Sequence, residues 1–154
     1  LDYLEQPLPA GDWEGAARLS VASPLPLMLD ESLGDMEAVE RLVASRAAPL
    51  AHLKLVKLGG VDRLLAAGRR LRDAGVGVMV GQMNEGVAST LAAAHAAIAL
   101  GVTLRELYGA DGLRWDPGGR LDYRDGMLHL PAGPGLGLPA HGSEGCELLW
   151  EHRA

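Results

Sequence analysis

His52-Leu53-Lys54-Leu55-Val56-Lys57-Leu58-Gly59-Gly60 is a short apolar run with a lysine at its centre and a glycine pair at its end. Read as a strand, it alternates faces with a period of two, which puts Lys54 on one face with His52 and Val56 and puts apolar neighbours on the other. An unpaired ammonium is costly to bury. Lys54 must therefore be neutral, paired with carboxylates, or held as a base with a lowered pKa. Lys57, on the opposite face, reads as a solvated or strand-end lysine.

Working outward, the same strand-then-helix unit recurs. Leu1 to Gln6 reads as a strand closed by Pro7 and Pro9, and Asp12 to Ala22 as a helix with Trp13, Ala16, Ala17 and Leu19 on its apolar side. Leu25 to Leu29 is a second strand. Asp35 caps a helix marked by Met36, Val39, Leu42 and Val43. Leu50 to Lys57 is the third strand, and the next helix carries Val61, Leu64, Leu65, Gly68 and Leu71 on its apolar face, with Asp62, Arg63, Arg69, Arg70 and Arg72 on its wet one. Gly77 to Gly81, a helix from Val87 to Leu100, and Val102 to Leu107 complete the series. The strand ends Glu5, Asp30, Lys54 and Gly81 are 25, 24 and 27 positions apart, near the roughly 30 residues per unit of a (β/α)8 barrel. Strands alternating with helices at that spacing predict a parallel sheet over residues 1–108. Residues 109–154 change character: Asp125-Gly126 between Leu121-Asp122-Tyr123 and Met127-Leu128-His129-Leu130 predicts a hairpin. The stretch from Pro131 to Pro139 is rich in Gly and Pro, and the whole segment reads as an extension of the same domain.

The sequence has 154 residues, 48% of them hydrophobic, and a formal charge of -6. That is enough chain for one ordinary core, and its acidity argues against nucleic acid as a partner. The longest apolar stretch, Val87 to Val102, holds Ser89, Thr90 and His95 and is too short for a membrane span. Leu1-Asp2-Tyr3-Leu4-Glu5 has no initiator Met and no signal-peptide pattern, so the start reads as the middle of something longer, with a cytoplasmic location expected. The single cysteine, Cys146, fits a reducing compartment.

Ligands of parallel α/β proteins bind outside the carboxyl ends of the strands. Polar residues there are Glu5, Asp30 with Glu31, Lys54, and Gln82, Asn84 and Glu85. Oxygen ligands supplied singly by neighbouring strands suit a hard divalent ion such as Mg²⁺. Such an ion would stabilise the anion formed when Lys54 takes a proton next to a substrate carboxylate. Taken singly, Glu5 or Asp30 at a strand end is more often a helix cap or a surface ion pair than a ligand. His95 reads as a core or interface histidine, and His129, His141 and His152 lack metal-ligand spacing. Gly133-Pro134-Gly135-Leu136-Gly137 has no βαβ context for a nucleotide loop.

In order, the motifs resemble the C-terminal barrel of the enolase superfamily, muconate lactonizing subgroup. Tyr3-Leu4-Glu5-Gln6-Pro7 is similar to its Glu-Gln-Pro strand and Leu29-Asp30-Glu31-Ser32 to its Asp-Glu-Ser strand. Leu53 to Gly60 resembles its Lys-x-x-Lys-x-Gly-Gly strand, and Pro134-Gly135-Leu136-Gly137 its Pro-Gly-Leu-Gly close. The resemblance implies strands four to eight of a (β/α)8 barrel. It also implies Glu5 and Asp30 as ligands of Mg²⁺, with Mn²⁺ as the alternative ion, and Lys54 as the acid/base group. Glu31, Lys57, Gln82, Met83 and Tyr108 fall at supporting or substrate-binding positions.

Met83-Asn84-Glu85-Gly86 with Ser89-Thr90, and Glu106-Leu107-Tyr108-Gly109, are similar to cycloisomerase segments. They imply a metal-dependent isomerase or lyase acting on a small carboxylate through an enolate, with Glu85 bonded to the developing anion. The alternatives are an N-acylamino-acid racemase, an o-succinylbenzoate synthase or a dipeptide epimerase, although the last carry Asp-x-Asp where Glu106-Leu107-Tyr108 stands. The family's capping domain and first three strands, with a Lys-x-Lys pair and a further metal-binding Asp, have no counterpart here. They are expected from the same or another chain, and a homo-oligomer is expected. A different class of reading is an inactive barrel fragment that needs a partner segment.

Overall fold

The computed structural model describes residues 1–138. Cys146, His141, His152 and the end of the expected extension lie outside the described residues. Five parallel strands, β1 (Leu4–Glu5), β2 (Leu27–Leu29), β3 (Leu50–Lys54), β4 (Gly77–Gly81) and β5 (Leu104–Glu106), lie side by side in chain order. Between them run α1 (Trp13–Ala22), α2 (Met36–Ser45), the single turn α3 (Leu55–Leu58), α4 (Val61–Asp73) and α5 (Val87–Leu100). Right-handed crossovers between neighbouring parallel strands put successive helices on one face of the sheet. This is half of a (β/α)8 barrel. Among the described residues no helix is long and apolar enough to cross a membrane.

The helix ends follow the local sequence. Asp12 caps α1 by accepting from the Gly15 N–H at 2.8 Å, and Asp35 caps α2 through Ala38 at 2.8 Å. Leu27, Leu29, Ala51, Leu53, Val78 and Val80 join Leu42, Leu64, Leu71 and Leu100 in the core between sheet and helices. Gly68 lets α4 and α5 close up, since a Cβ there would stand 2.5 Å from Leu100 Cδ1. Outside, Arg70 makes a paired contact with Glu40 and Arg41 stacks 4.9 Å over Trp13, tying α2 to α4 and to α1. Of the two readings of His95, core or interface, the core one does not hold: His95 is exposed on α5, because the Ala face of the helix packs and the His face does not.

The decisive stretch folds differently from the uniform strand expected over 50–57. Its pairing with β4 ends at Lys54 opposite Gly81, and Leu55–Leu58 then turns as one helical turn closed by Gly59 N–H to Leu55 O at 2.9 Å. Burial of Leu58 overrides the strand preference of Leu-Val. Gly59 and Gly60 sit at φ 81° and 155°, so both positions need glycine to end the turn and start α4. Val56 leaves the Lys54 face and is half exposed. The predicted hairpin is present as β6 (Asp122–Arg124) and β7 (Met127–His129), with Asp125 and Gly126 both at positive φ as a type I′ turn requires. Tyr123 Oη donates to Leu107 O at 2.7 Å, fastening the hairpin to the chain just after β5.

Candidate active site

Period-two alternation sends the residues between the core positions to the other face of the sheet. Met28, His52, Lys54, Met79 and Gly81 are the alternates of β2, β3 and β4, and lie on the face of the sheet opposite the helix-side core. At the carboxyl ends of the strands they meet Glu5, Asp30 and Glu106. Lys54 Nζ donates to Asp30 Oδ2 at 2.6 Å and approaches Met83 Sδ at 3.7 Å. Lys57, which strand alternation would send to the opposite side, swings back on the α3 turn. It donates to Asp30 Oδ1, to Asp30 O at 2.6 Å and to His52 O at 3.3 Å. It is therefore not a solvated lysine. Both lysines of the chain converge on one carboxylate.

Burial alone would raise the pKa of Asp30, but hydrogen bonds from Lys54 and Lys57 and the charge of Lys57 outweigh it and hold the carboxyl below its ordinary value. For Lys54, burial pulls down, while Asp30, Glu106 and Glu5 pull harder and hold the ammonium above its ordinary value. Lys57 goes the other way: its desolvation and the nearby Lys54 charge win, and its pKa is lowered despite Asp30. Of the three states open to Lys54, the structure thus presents the carboxylate-paired cation, not the base with a lowered pKa.

His52 lies at the centre, fully buried. Its Nδ1 is 2.8 Å from Glu5 Oε1 and 3.7 Å from Asp30 Oδ2, and its Nε2 is 3.6 Å from Glu106 Oε2. Ligand atoms of Glu5, Asp30 and His52 all lie within 4.8 Å of one another. Two carboxylates and an imidazole from three adjacent strand ends are a donor set that fits a divalent cation. The ring is seated on Gly81, where a Cβ would stand 1.9 Å from Nε2. Gly81→Ala is therefore expected to lower stability by about 1–3 kcal/mol. Denaturant titration reads this directly, and an unshifted midpoint would mean that the ring has room to move.

Sequence alone does not single out Gln6, yet it sets the position of Asp30. Its Oε1 accepts from the backbone of Asp30 at 2.8 Å and Ser32 at 3.2 Å, and its Nε2 donates to Leu8 O and Ser32 Oγ at 2.9 Å. The backbone of Gln6 takes a left-handed φ of 35° to do so, a strained value for a side-chain-bearing residue. The visible signal was its place between Glu5 and Pro7. His52 had a signal too, being two positions before Lys54 on the same face.

The remaining predicted residues stand farther back. Glu85 is buried, but its oxygens accept from Met83 N–H at 2.8 Å and from Ser89 Oγ, so its hydrogen bonds stay within its loop and the first turn of α5. Gln82 bridges Thr90 Oγ1 at 2.9 Å and the Gly109 N–H at 3.3 Å, joining the end of β4 to α5 and to the chain after β5. Gly109 packs so closely there that a Cβ would meet Met83 O at 2.2 Å. Met83 presents its sulfur to Lys54 and is half exposed, as is Tyr108. Glu31 is exposed and acts on Lys57 through its charge.

A family model described as "Enolase C-terminal domain-like" matches residues 1–142. Muconate cycloisomerase 1 of Pseudomonas putida is 37% identical over 148 residues, covering 90% of this chain and 38% of that protein. N-succinyl-L-Arg/Lys racemase of Bacillus cereus is 31% identical, with 90% of this chain and 37% of the relative covered. L-Ala-D/L-Glu epimerase of Bacillus subtilis is 30% identical, with 90% and 38% covered. Among solved structures, muconate lactonizing enzyme from Pseudomonas putida superposes with a TM-score of 0.87 at 37% identity, over 94% of this chain and 40% of that one. The chain thus spans about two fifths of the length of these relatives.

Proposed function

Because the chain belongs to the enolase C-terminal domain-like family, we propose that the complete protein is a divalent-metal-dependent isomerase that takes a proton from the carbon next to a substrate carboxylate. The observation that carries this reading is the convergence of Glu5, Asp30 and Lys54 at three neighbouring strand ends. Glu5 and Asp30 hold the metal, which is Mg²⁺ or Mn²⁺ and, when bound, offsets the negative charge that grows on the substrate carboxylate. Lys54 moves the proton at Nζ. Its pairing with Asp30 Oδ2 supports a protonated resting state, so Lys54 gives its proton to the enolate carbon in one direction of the reaction and, once neutral, takes the α-proton in the other. Substrate entering beside Oδ2 gives the ammonium a second carboxylate to follow. Lys57 keeps Asp30 in place from the other oxygen, and Gln6 does so from the backbone. Met83 and Tyr108, exposed beside Lys54 and at the end of β5, are placed to touch substrate.

Cycloisomerisation of a muconate-like dicarboxylate is the favoured chemistry, on the ground of the muconate cycloisomerase relatives. Racemisation or epimerisation of an N-acylated amino acid or dipeptide is the runner-up, on the ground of the others. The complete protein is expected to consume muconate in an absorbance assay with Mg²⁺ or Mn²⁺. The runner-up predicts instead wash-in of deuterium at the α-carbon of N-succinyl-arginine or of Ala-Glu in D₂O, followed by proton NMR. No turnover and no exchange on any of the three, with metal supplied, would sink the proton-transfer reading.

A second reading has its own support. Among the described residues β1 and β5 each pair on one side only, and the remaining strands and capping domain come, on this reading, from the same or another polypeptide. These 154 residues expressed alone would then be inactive. Turnover by the isolated chain would refute this.

A further inference from the structure

We propose, resting on the function put forward for the complete protein, that Asp116 is a positioning residue. It bonds the segment after β5 to the first turn of α5 and so locks the loops after β4 and β5 into one clamp. The clamp fixes the spacing of Met83 and Tyr108, the two exposed side chains placed to touch substrate beside Lys54. Asp116 lies in the extension, 29 positions beyond Val87, where no local pattern points to it.

Helix α5 begins without a cap of its own. Its N-cap residue is Gly86, which has no side chain to accept from the free N–H groups of the first turn. Asp116 supplies an acceptor from outside: Oδ2 accepts from Val87 N–H at 3.1 Å, while Oδ1 accepts from Gly118 N–H at 2.7 Å and steadies the carboxylate. A negative group is favoured at that end of a helix. The approach leaves no slack, because a Cβ on Gly86 would stand 2.6 Å from Oδ2. From the capped turn the linkage runs back to the site. Ser89 donates to Glu85, Glu85 accepts from Met83 N–H at 2.8 Å, and Met83 brings its sulfur to 3.7 Å from Lys54 Nζ. Asp116 therefore acts on Met83 through the helix.

A second fastening joins the same two loops nearer the sheet. Buried Gln82 accepts from Gly109 N–H at 3.3 Å and donates to Thr90 Oγ1 at 2.9 Å, and the Thr90 hydroxyl donates to Gly86 O at 3.0 Å. Tyr123 holds Leu107 O from the other side. Tyr108 thus stands between two anchored neighbours while its own side chain stays free. A segment with one anchor swings about it, whereas anchors at both Gly109 and Asp116 keep its distance from Met83. Lys54 and Asp30 lie outside the clamp, bonded to each other at the ends of β2 and β3. Loosening the clamp therefore weakens the hold on substrate and leaves the proton transfer itself in place.

The test is made on the complete protein. Asp116→Ala is expected to raise KM about 3–30-fold, the fall in closed population that loss of one helix cap implies, with kcat within about threefold of wild type. Asp116→Asn keeps one of the two acceptors and is expected to recover part of the KM. Gly86→Ala leaves the carboxylate in place but crowds it, and is expected to raise KM as Asp116→Ala does. Hydrogen exchange resolved to single amides should quicken at Met83 and Gly109 in Asp116→Ala and Gly86→Ala. Should Asp116→Ala fail to fold, Asp116→Asn and Gly86→Ala carry the same test. An unchanged KM in the folded variants, or a fall in kcat in its place, overturns the proposal. So does faster exchange confined to residues 87–90, which would leave Asp116 a helix cap and no more. If wild type turns over neither muconate nor N-succinyl-arginine nor Ala-Glu, the proton-transfer reading falls by itself, and exchange at Met83 and Gly109 still decides whether Asp116 locks the two loops together.

Discussion

Replacing Lys54 by alanine is expected to cut turnover on the order of 10²–10⁴-fold, with a much smaller change in KM and a folded protein. The fold survives because Asp30 keeps its second cation: Lys57 still donates to Oδ1 and to the Asp30 carbonyl. What disappears is the one ammonium that stands at Oδ2, on the side of Glu5 and His52. Lys54→Arg is not expected to restore the rate, since a guanidinium keeps its charge and cannot exchange the proton. Steady-state kinetics on whichever substrate is turned over checks this. A kcat within threefold of wild type for Lys54→Ala would remove Lys54 from the chemistry and leave it a structural counter-ion.

Asp30→Asn has the larger effect on stability. Removing the carboxylate leaves two largely buried ammonium groups facing an amide, and breaking a buried charge pair from one side costs about 3–5 kcal/mol. Divalent-metal binding is expected to fall with it. The two effects separate in measurement: chemical denaturation without metal reads the first, and metal titration of the folded fraction reads the second. The signs with pH follow from the same contacts. Asp30 has a folded pKa below its unfolded one, so its contribution is present above the unfolded value and is lost as pH falls through the folded value. Lys54 has a folded pKa above its unfolded one, so its contribution is complete below the unfolded value and is lost as pH rises through the folded value. Asp30→Asn should flatten both limbs of the stability profile. A variant as stable as wild type at neutral pH would show that water, not Asp30, solvates the two lysines.

Much of this is legible in the sequence. Regular spacing of Glu5, Asp30, Lys54 and Gly81 predicted the parallel order of β1 to β4, and Asp125-Gly126 predicted the hairpin, because both signals are local or periodic. The face shared by His52 and Lys54 followed from the period of a strand. Lys57 did not, because no local preference announces that a Leu-Val run will turn into a helix once β4 ends at Gly81. The paired, protonated state of Lys54 also required distances: sequence put Asp30 on the neighbouring strand but could not say that two cations would share it. Gln6 is not legible for a similar reason, since its work is done through backbone amides 24 and 26 positions away.

The ordering of strands has a consequence for how firmly each part of the site is held. Among the described residues each strand of the five-stranded sheet pairs only with its neighbours in chain order, so opening can proceed from an edge without disturbing the middle. β3 and β4 pair along five residues, whereas β1 is two residues long and bonded on one side. Amide hydrogens around His52 and Lys54 should therefore exchange with solvent slowly, and those around Glu5 quickly. In this chain one end of the acidic group is clamped and the other is on a hinge, and the contact from His52 to Glu5 is what latches it.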